Sequence, residues 1–221
     1  MDTILKTTEN VKTSAPVFEK KPRPFAYYLA LAVLRSPRKH AAAILREVGQ
    51  IPTIPFQQGD LTTLGKVAEF YGLPEWHING VRLRLPEEYP VFRAEIDKHL
   101  FKIPWIDVGK ALAESGVRAS VSLAPGGKKK FISLYDDPEN PTIFELGQTE
   151  RNWWDPNLVL AIGVLVGKRR KYHSSRAAKA YERVYASHYA DKARALWDKC
   201  HEEPAAPEQP TPTTLDPTAV D

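Results

Sequence analysis

Residues 63–81 read TLGKVAEFYGLPEWHINGV, and the spacing within this stretch decides the predicted fold. Two helices that cross closely need a small side chain at their contact, and Ala68 stands at that position. The turn between them needs a residue that tolerates a positive φ, and Gly72 follows four residues later. Pro74 then falls in the first turn of a second helix, where its missing N–H costs nothing. The spacing therefore predicts a helix-turn-helix between Leu61 and Leu85.

Apolar residues at the places that point between the two helices support the same prediction. They are Val67, Tyr71, Leu73, Ile78 and Val81. Thr62 or Thr63 can cap the first helix, and the second helix is predicted over residues 74–85. Gly80 lies inside that second helix and should cost roughly 1 kcal/mol relative to Ala.

The outer face of the second helix is the candidate surface for reading DNA. It is predicted to present Glu75, Trp76, His77, Asn79, Arg82 and Arg84. Asn and Arg side chains can make bidentate contacts with adenine and guanine edges in the major groove, and the first residues of such a helix usually reach the bases. The alternative is an ordinary helical hairpin packed in a core, because short motifs of this kind also arise by chance.

Upstream of this stretch the sequence predicts two helices and a strand. Residues 25–34 form the first helix, and Ser36-Pro37 starts a second one that ends at Gly49. Residues 51–56 alternate apolar with small or polar residues, as a strand does, and their two prolines confine that strand to a sheet edge. A turn is predicted over residues 57–60.

Downstream, a short helix over 107–115 precedes two strands, 120–123 and 130–135, around Pro125-Gly126-Gly127. Helix, strand, turn and strand in this order resemble a wing, and residues 142–146 add a further short strand. The hairpin carries Lys128, Lys129 and Lys130. These cations suit contact with DNA phosphates, although a solvated loop that protects a sheet edge would need the same residues.

The last third of the chain is apolar at first and then basic. Residues 157–166 form a buried helix or a buried strand, which periodicity cannot separate. A cationic run follows, made of Lys168, Arg169, Arg170 and Lys171. It suits either nucleic acid or a solvated turn. A long helix is predicted over 174–199, and the segment 158–199 holds ten basic and three acidic residues, a net charge of +7.

Along that helix an apolar stripe recurs at intervals near three and four. Its members are Ala178, Tyr181, Tyr185, Tyr189, Leu196 and Trp197. Such a stripe is most often part of a core. The alternative is a homodimer through the helix 174–199, since many DNA-binding proteins dimerise.

Taken together, these patterns predict an α+β protein, mostly α, with a helix-turn-helix, a small winged-helix-like β-hairpin and a long C-terminal helix. We expect four parts along the chain. They are a flexible N-terminal arm at 1–24, a helix-turn-helix domain at 25–146, a basic helical region at 147–200 and a disordered, proline-rich acidic tail at 201–221.

The run Leu61-Thr62-Thr63 leads into Val67-Ala68-Glu69-Phe70-Tyr71-Gly72 after the short strand and the turn at Gly59. This order resembles the DNA-binding N-terminal regions of phage and prophage antirepressor-type proteins, the KilA-N-like group. In that group a short strand, a threonine pair and a Val-Ala-x-x-Tyr-Gly element often precede the recognition helix. The resemblance covers about 40 residues, and the group's basic stretch after the helix is reduced here to Arg82 and Arg84. It implies a transcription regulator of phage or mobile-element origin, acting in some cases on a host repressor.

Motifs for catalysis, metal binding and membrane insertion are missing from the sequence. It has no phosphate-binding glycine loop, no Gly-x-Ser-x-Gly and no His-Glu-x-x-His, so we expect no enzyme and no cofactor. The alternative is a magnesium nuclease using Glu95, Asp97 and Lys98 together with a distant acidic residue. A single cysteine, Cys200, and the lack of a signal segment or a 20-residue apolar span favour a cytoplasmic protein.

Two functions follow from the sequence. The first is a sequence-specific regulator that binds double-stranded DNA through residues 74–85. The second is a protein-interaction module, such as a phage-encoded inhibitor of a host protein. The tyrosine stripe, the proline-rich tail and the net charge of only +4 motivate the second function.

Overall fold

A computed structural model describes residues 24–123, 126, 130–146, 153–167 and 174–201 of the 221-residue chain. Within these ranges the helices are α1 (Phe25–Leu34), α2 (Arg38–Val48), α3 (Leu64–Tyr71), α4 (Glu75–Glu88), α5 (Val91–Asp97), α6 (Trp105–Glu114), α7 (Pro156–Gly167), α8 (Ser175–Tyr185) and α9 (Tyr189–His201). The strands are β1 (Ile54–Phe56), β2 (Gly59–Thr63), β3 (Leu100–Phe101), β4 (Ala119–Leu123), β5 (Lys130–Leu134), β6 (Thr142–Leu146) and β7 (Trp153–Trp154). The protein is therefore α+β and mostly helical in its described part.

Two small antiparallel sheets contain these strands. One has the order β1-β2-β7-β3, and the other has the order β4-β5-β6. In the first sheet Ile54 pairs with Leu61, and β1 lies at the edge, as the two prolines of residues 51–56 predicted. In the second sheet the central strand β5 places Ile132 between Val121 and Phe144.

The buried apolar residues form two separate clusters. The larger one, called the helical core here, is formed mainly by α1 to α5 and α7 to α9. The smaller one, called the sheet core here, lies among α6 and strands of both sheets. Its buried members are Ile54, Leu61, Ile103, Val108, Ala111, Leu112, Ile132, Leu134, Phe144 and Trp153. The helical core draws on residues before and after position 146, so α7 to α9 pack against the predicted helix-turn-helix region.

Strand β7 separates the two cores. Successive side chains of a strand point to opposite faces, so Trp153 enters the sheet core and Trp154 enters the helical core. The strand is only two residues long, yet it pairs with β2 on one side and with β3 on the other. A strand of this length follows from pairing with distant segments, and no local pattern in the sequence predicts it.

Helix α7 is the centre of the helical core, with every residue from Asn157 to Val166 buried. Two glycines let its neighbours come close. A Cβ at Gly163 would overlap the Tyr71 hydroxyl, and a Cβ at Gly167 would overlap the Ala177 carbonyl oxygen of α8. A helix that is buried on all sides has no polar face and therefore no helical periodicity of polar residues. For this reason the sequence pattern could not distinguish a helix from a strand for residues 157–166.

Several local predictions are confirmed. Helix α1 has the predicted bounds, α2 ends at Gly49, and β6 spans 142–146. Thr63 caps α3, since its side chain accepts a hydrogen bond from the Lys66 N–H. These features depend on neighbours in the chain, and short-range signals therefore suffice to predict them.

Other boundaries were wrong. Ser36 does not cap α2, because its hydroxyl donates to the Val33 carbonyl and Pro37 occupies the N-cap. Pro74 is likewise the N-cap of α4, and Pro86 lies inside that helix. The predicted turn at 57–60 is shorter, because Gly59 already begins β2.

The predicted long helix at 174–199 is also wrong, because it is divided into α8 and α9. The hydroxyl of Ser187 donates to the Val184 carbonyl and accepts from the Tyr189 N–H. A serine that bonds to backbone groups in this way competes with the helical hydrogen-bond ladder.

Within the described part of the chain no helix is both long enough and apolar enough to cross a bilayer.

Candidate functional site

Helices α3 and α4 are joined by a tight turn at Gly72. This glycine has φ 64° and ψ 36°, which is the left-handed conformation that the sequence led us to expect. The Gly72 N–H donates to the Glu69 carbonyl at 3.1 Å, and the Leu73 N–H donates to the Ala68 carbonyl at 3.0 Å. These two bonds close the end of α3 and set the direction in which α4 leaves it.

One side of α4 is fixed in the helical core. Ile78, Val81 and Leu85 recur at intervals of three and four and are all buried. Ala68 of α3 is buried as well, in keeping with its predicted place at the contact between the helices. The burial of these residues fixes the rotation of α4 about its axis, and it thereby determines which side chains of the helix face solvent.

The opposite side of α4 is exposed and partly apolar. Trp76 is 64% exposed and Leu83 is 49% exposed, and they lie two turns apart. Gly80 lies between them on the same side. Because glycine has no side chain, the surface is recessed at the middle of this face, which is called the Trp76–Leu83 face here. Glu75, Arg84 and Glu87 are exposed around it. Trp76 was predicted to lie on this face but Leu83 was not, although their spacing of seven residues could have indicated a shared face.

His77 does not belong to the exposed face, contrary to the prediction. It is only 6% exposed, because it lies one helical turn before Val81 on the side that packs inward. Its imidazole ring contacts the Trp76 ring edge-on, with 5.6 Å between the ring centroids. His77 therefore supports the helix and the exposed indole beside it, and it is not available for contact with a base.

Asn79 and Arg82 are half-buried and bind each other. Arg82 donates to the Asn79 Oδ1 from Nε at 3.0 Å and from Nη2 at 2.7 Å. Burial lowers the pKa of Arg82, while the nearby charge of Asp97 acts in the opposite direction. Adenine recognition by Asn uses its carbonyl oxygen as well as its amino group. The Asn79 oxygen is engaged by Arg82 in this structure.

Acidic and basic residues alternate around α3 to α5. Lys66 pairs with Glu69 at 2.6 Å on α3. On and near α5, Glu95 accepts from Arg35 at 3.0 Å and from Lys98 at 2.8 Å. The exposed surface around α4 is thus of mixed charge, unlike the strongly cationic surface typical of DNA-binding domains.

The residues of the alternative nuclease site are mainly involved in ion pairs. Burial alone would raise the pKa of Glu95, but the hydrogen bonds and charges of Lys98 and Arg35 outweigh it and lower the pKa. Both carboxylate oxygens of Glu95 are engaged by these cations. Among the described residues, no group of three or more His, Cys, Asp or Glu side chains is arranged to hold a metal ion.

The predicted phosphate contacts fall largely outside the described residues. Lys128 and Lys129 lie there, as do Lys168, Arg169, Arg170 and Lys171. Lys130 is described, and it begins β5 as a half-buried residue opposite Leu123 and Leu146. Lys130 is therefore part of the sheet, while Gly126 with φ 86° lies in the turn between the strands.

The apolar stripe of the C-terminal helices mainly faces the chain's own core. Tyr189 is fully buried, and its hydroxyl lies 2.8 Å from the Ser36 Oγ. Trp197 contacts Tyr28, with 5.2 Å between the ring centroids, and Tyr185 contacts Phe25 at 6.0 Å. Tyr181 and Leu196 are half-buried against the helical core, as the core interpretation expects, whereas Tyr185 is 45% exposed. The homodimer through 174–199 stays a prediction.

A buried polar cluster around Asp155 was missed in the sequence. Asp155 Oδ2 lies 2.8 Å from Arg38 Nε and 2.8 Å from His99 Nδ1, and Oδ1 accepts from the Leu158 N–H. His99 Nε2 lies 2.8 Å from the Leu34 carbonyl oxygen. The two ring nitrogens of His99 therefore face Asp155 and Leu34, and the cluster ties α1, α2 and the β7–α7 junction together. No spacing in the sequence brings these residues together.

No protein-family model, no curated protein and no solved structure matches this chain.

Proposed function

We propose that α3 and α4 act as a DNA-binding helix-turn-helix and that the protein is a sequence-specific regulator. The observation that carries the proposal is the fixed orientation of α4. This helix follows the left-handed Gly72, and one of its sides is buried while the opposite side is exposed. A recognition helix needs this combination, because its side chains must reach base edges from a rigid support. Assignment to the phage or mobile-element type is supported by sequence resemblance alone.

Trp76 and Arg84, together with Asn79, are the side chains of α4 best suited to touch DNA. Trp76 and Arg84 are exposed, and Asn79 is half-buried at the margin of the same face. Arg82 must release the Asn79 carbonyl oxygen before Asn79 can form a bidentate pair with adenine. Base recognition by Asn79 therefore requires a rearrangement of this pair of side chains.

The first test is selection of bound sequences from a random pool of duplexes by the purified full chain, at two salt concentrations. An enriched motif whose retention falls as salt rises is the expected result, because released counterions give a slope of about −0.9 per phosphate contact. Retention without enrichment would contradict sequence-specific recognition. The absence of any retention at low salt would contradict DNA binding altogether.

Variants of α4 then test which residues contact the enriched duplex. Asn79→Ala should weaken binding by about 1–3 kcal/mol if Asn79 pairs with a base. Arg82→Ala should cost less, because the loss of its own contacts is offset by release of the Asn79 oxygen. Arg84→Ala should either relax one base position or reduce the salt slope by about 1. Arg46→Ala on α2 removes the same charge from another exposed position, and an equal loss there would argue against a role for α4.

A protein-interaction module is the second candidate, and the exposure of Trp76 and Leu83 favours it. Large apolar side chains on one helix face are typical of a helix that docks into a groove on a partner protein. The mixed charge around α4 also suits a protein surface better than a phosphate backbone.

Leu83→Ala separates the two candidates, because a leucine at the centre of a protein contact matters more than a leucine beside phosphates. A partner captured by the wild-type chain should be lost with Leu83→Ala and kept with Ile106→Ala, which removes a similarly exposed side chain from α6. DNA retention that is unaffected by Leu83→Ala, together with no captured partner, would exclude this second candidate.

A further inference from the structure

The outer edge of β4 is the feature of the structure that neither proposed function uses. Of the described strands, only β5 pairs with β4, so one side of β4 carries backbone N–H and C=O groups without a neighbouring strand. An unpaired edge of this kind is a template for pairing with another chain.

Two apolar side chains extend beyond the sheet core at this edge. Val121 is 53% exposed and Leu123 is 64% exposed. Both lie on the same face of the sheet as the buried Ile132, because Val121 pairs directly with Ile132 and side chains alternate along β4. The apolar surface of the sheet core is therefore continuous with an exposed apolar strip on β4.

Strand β4 also lacks the features that normally keep an edge from pairing. Its sequence is Ala-Ser-Val-Ser-Leu, with no charged residue, no proline and no bulge in its pairing with β5. Natural edge strands are commonly protected by inward-pointing charges, prolines or bulges. An unprotected strand edge beside an exposed apolar strip indicates a surface that another polypeptide strand covers when the protein functions.

We propose that a second copy of this chain covers it, by antiparallel pairing of β4 with β4 across a twofold axis at Val121. This register pairs all five residues of the strand and places Ala119 opposite Leu123 of the other copy. Registers centred on Ser120 or Ser122 pair fewer residues, and a shift by one residue would bring opposite faces together. The two three-stranded sheets then form one six-stranded sheet.

The chemistry of the strand is complementary to itself. Across the axis Val121 meets Val121, the small Ala119 meets the larger Leu123, and Ser120 meets Ser122 on the other face. Because β4 contains no charged residue, no like charges face each other across the axis, and no electrostatic repulsion opposes the pairing of two copies. The proposal concerns β4 alone and does not depend on the role of α4.

The first experiment measures the mass of the full chain by sedimentation equilibrium over a range of protein concentrations. A concentration-dependent dimer is expected, and it should be lost in Val121→Lys, where two ammonium groups would meet at the axis. Ile143→Lys is the matched control, because Ile143 is an exposed isoleucine on β6, the strand at the other edge of the same sheet. A chain that is monomeric throughout would overturn the proposal, as would a dimer that survives Val121→Lys or is lost in Ile143→Lys.

The second experiment tests the register by cysteine crosslinking in a Cys200→Ser background, which removes the native exposed thiol. Directly opposed residues of antiparallel strands have Cα atoms about 4.5–5.5 Å apart, within the range that a disulfide spans. Val121→Cys should therefore link to itself on mild oxidation. Ala119→Cys should not, because its two copies lie four positions apart, about 13 Å.

Mixed samples complete the test and do not require Val121 to be changed. Ala119→Cys and Leu123→Cys should each stay unlinked when oxidised alone and should form a disulfide-linked heterodimer when oxidised together. Self-linking of Ala119→Cys at the rate of Val121→Cys would overturn the proposed register. Failure of both Val121→Cys and the mixture to link would overturn the pairing itself.

Discussion

The helical core and the sheet core differ in how completely each encloses its central element. Helix α7 is buried on every side over ten consecutive residues, and its glycines bring it into close contact with Tyr71 and with α8. Strand β5 is enclosed on one face only, where Ile132 and Leu134 are buried while Phe131 and Ser133 stay partly exposed.

This difference has a physical consequence. An element enclosed on all sides tolerates neither added nor removed atoms, because no direction is open for relaxation. An element with a free face can adjust towards solvent. We therefore expect the helical core to be the more rigid of the two and the three-stranded sheet to open more readily. Four predictions test this contrast, beginning with the link between the cores.

The largest effect is expected for Asp155→Ala at the junction of the two cores. Asp155 is fully buried and binds Arg38, His99 and the Leu158 N–H, so its removal leaves buried donors without their acceptor. Breaking a buried ion pair costs about 3–5 kcal/mol, and we expect a value near 3 because Arg38 is 38% exposed. Denaturant unfolding monitored by circular dichroism measures this change.

Asp191→Ala is the control for this substitution. Asp191 pairs with Arg194 at 2.9 Å on the surface of α9, and both side chains are mostly exposed. Its loss should change the free energy of unfolding by no more than about 0.5 kcal/mol. Equal effects of the two substitutions would show that the Asp155 cluster does not hold the cores together.

Gly163→Ala should destabilise the helical core by about 2 kcal/mol, within the range for overpacked sites. The new methyl group would overlap the Tyr71 hydroxyl, which donates to the Val159 carbonyl at 2.9 Å and has no open direction to move. Gly109→Ala in α6 makes the same change where nothing lies within 4 Å of the added Cβ. That substitution should stabilise the protein by about 0.5–1 kcal/mol. Thermal unfolding of both variants should show shifts of opposite sign, and shifts of the same sign would contradict the close contact.

Ile132→Val should cost about 1 kcal/mol in the sheet core, since it removes one buried methylene group. Ile143→Val makes the same change on the exposed side of the sheet and should stay within about 0.5 kcal/mol. Hydrogen exchange can locate the effect, because Ile132→Val should reduce protection in β4 to β6 and leave α7 unchanged. Equal loss of protection in α7 would show that the two cores unfold as one unit.

The smallest effect is expected from His188, at the surface of the helical core. Burial, Lys192 and His40 lower the pKa of His188, and Asp191 acts against them. A histidine whose pKa is lower in the folded than in the unfolded chain destabilises the fold when it is protonated. Stability should therefore decrease as the pH falls below the ordinary histidine value of 6.5. His188→Asn should reduce this acid dependence of the melting temperature, and an unchanged pH profile would contradict the role of His188.

In the candidate site the sequence predicted the ends of helices and the buried residues better than the exposure of individual side chains. The α3 cap at Thr63, the left-handed Gly72 and the buried Ile78 and Val81 were predicted, because each depends on residues close in the chain. The exposure of individual side chains on α4 was predicted less well. His77 proved to be buried, and Arg82 proved to be engaged with Asn79, because the rotation of a helix is set by what it packs against.

The sequence by itself determined the elements whose signals are local, namely the bounds of α1, the C-terminal end of α2, the turn between α3 and α4 and the extent of β6. Only the tertiary structure decided that 157–166 is a helix, that Trp153 and Trp154 face different cores and that Asp155 meets Arg38 and His99. The physical reason is range. Caps and turns are satisfied by neighbours within a few residues, whereas burial on all sides and short paired strands depend on segments far apart in the chain.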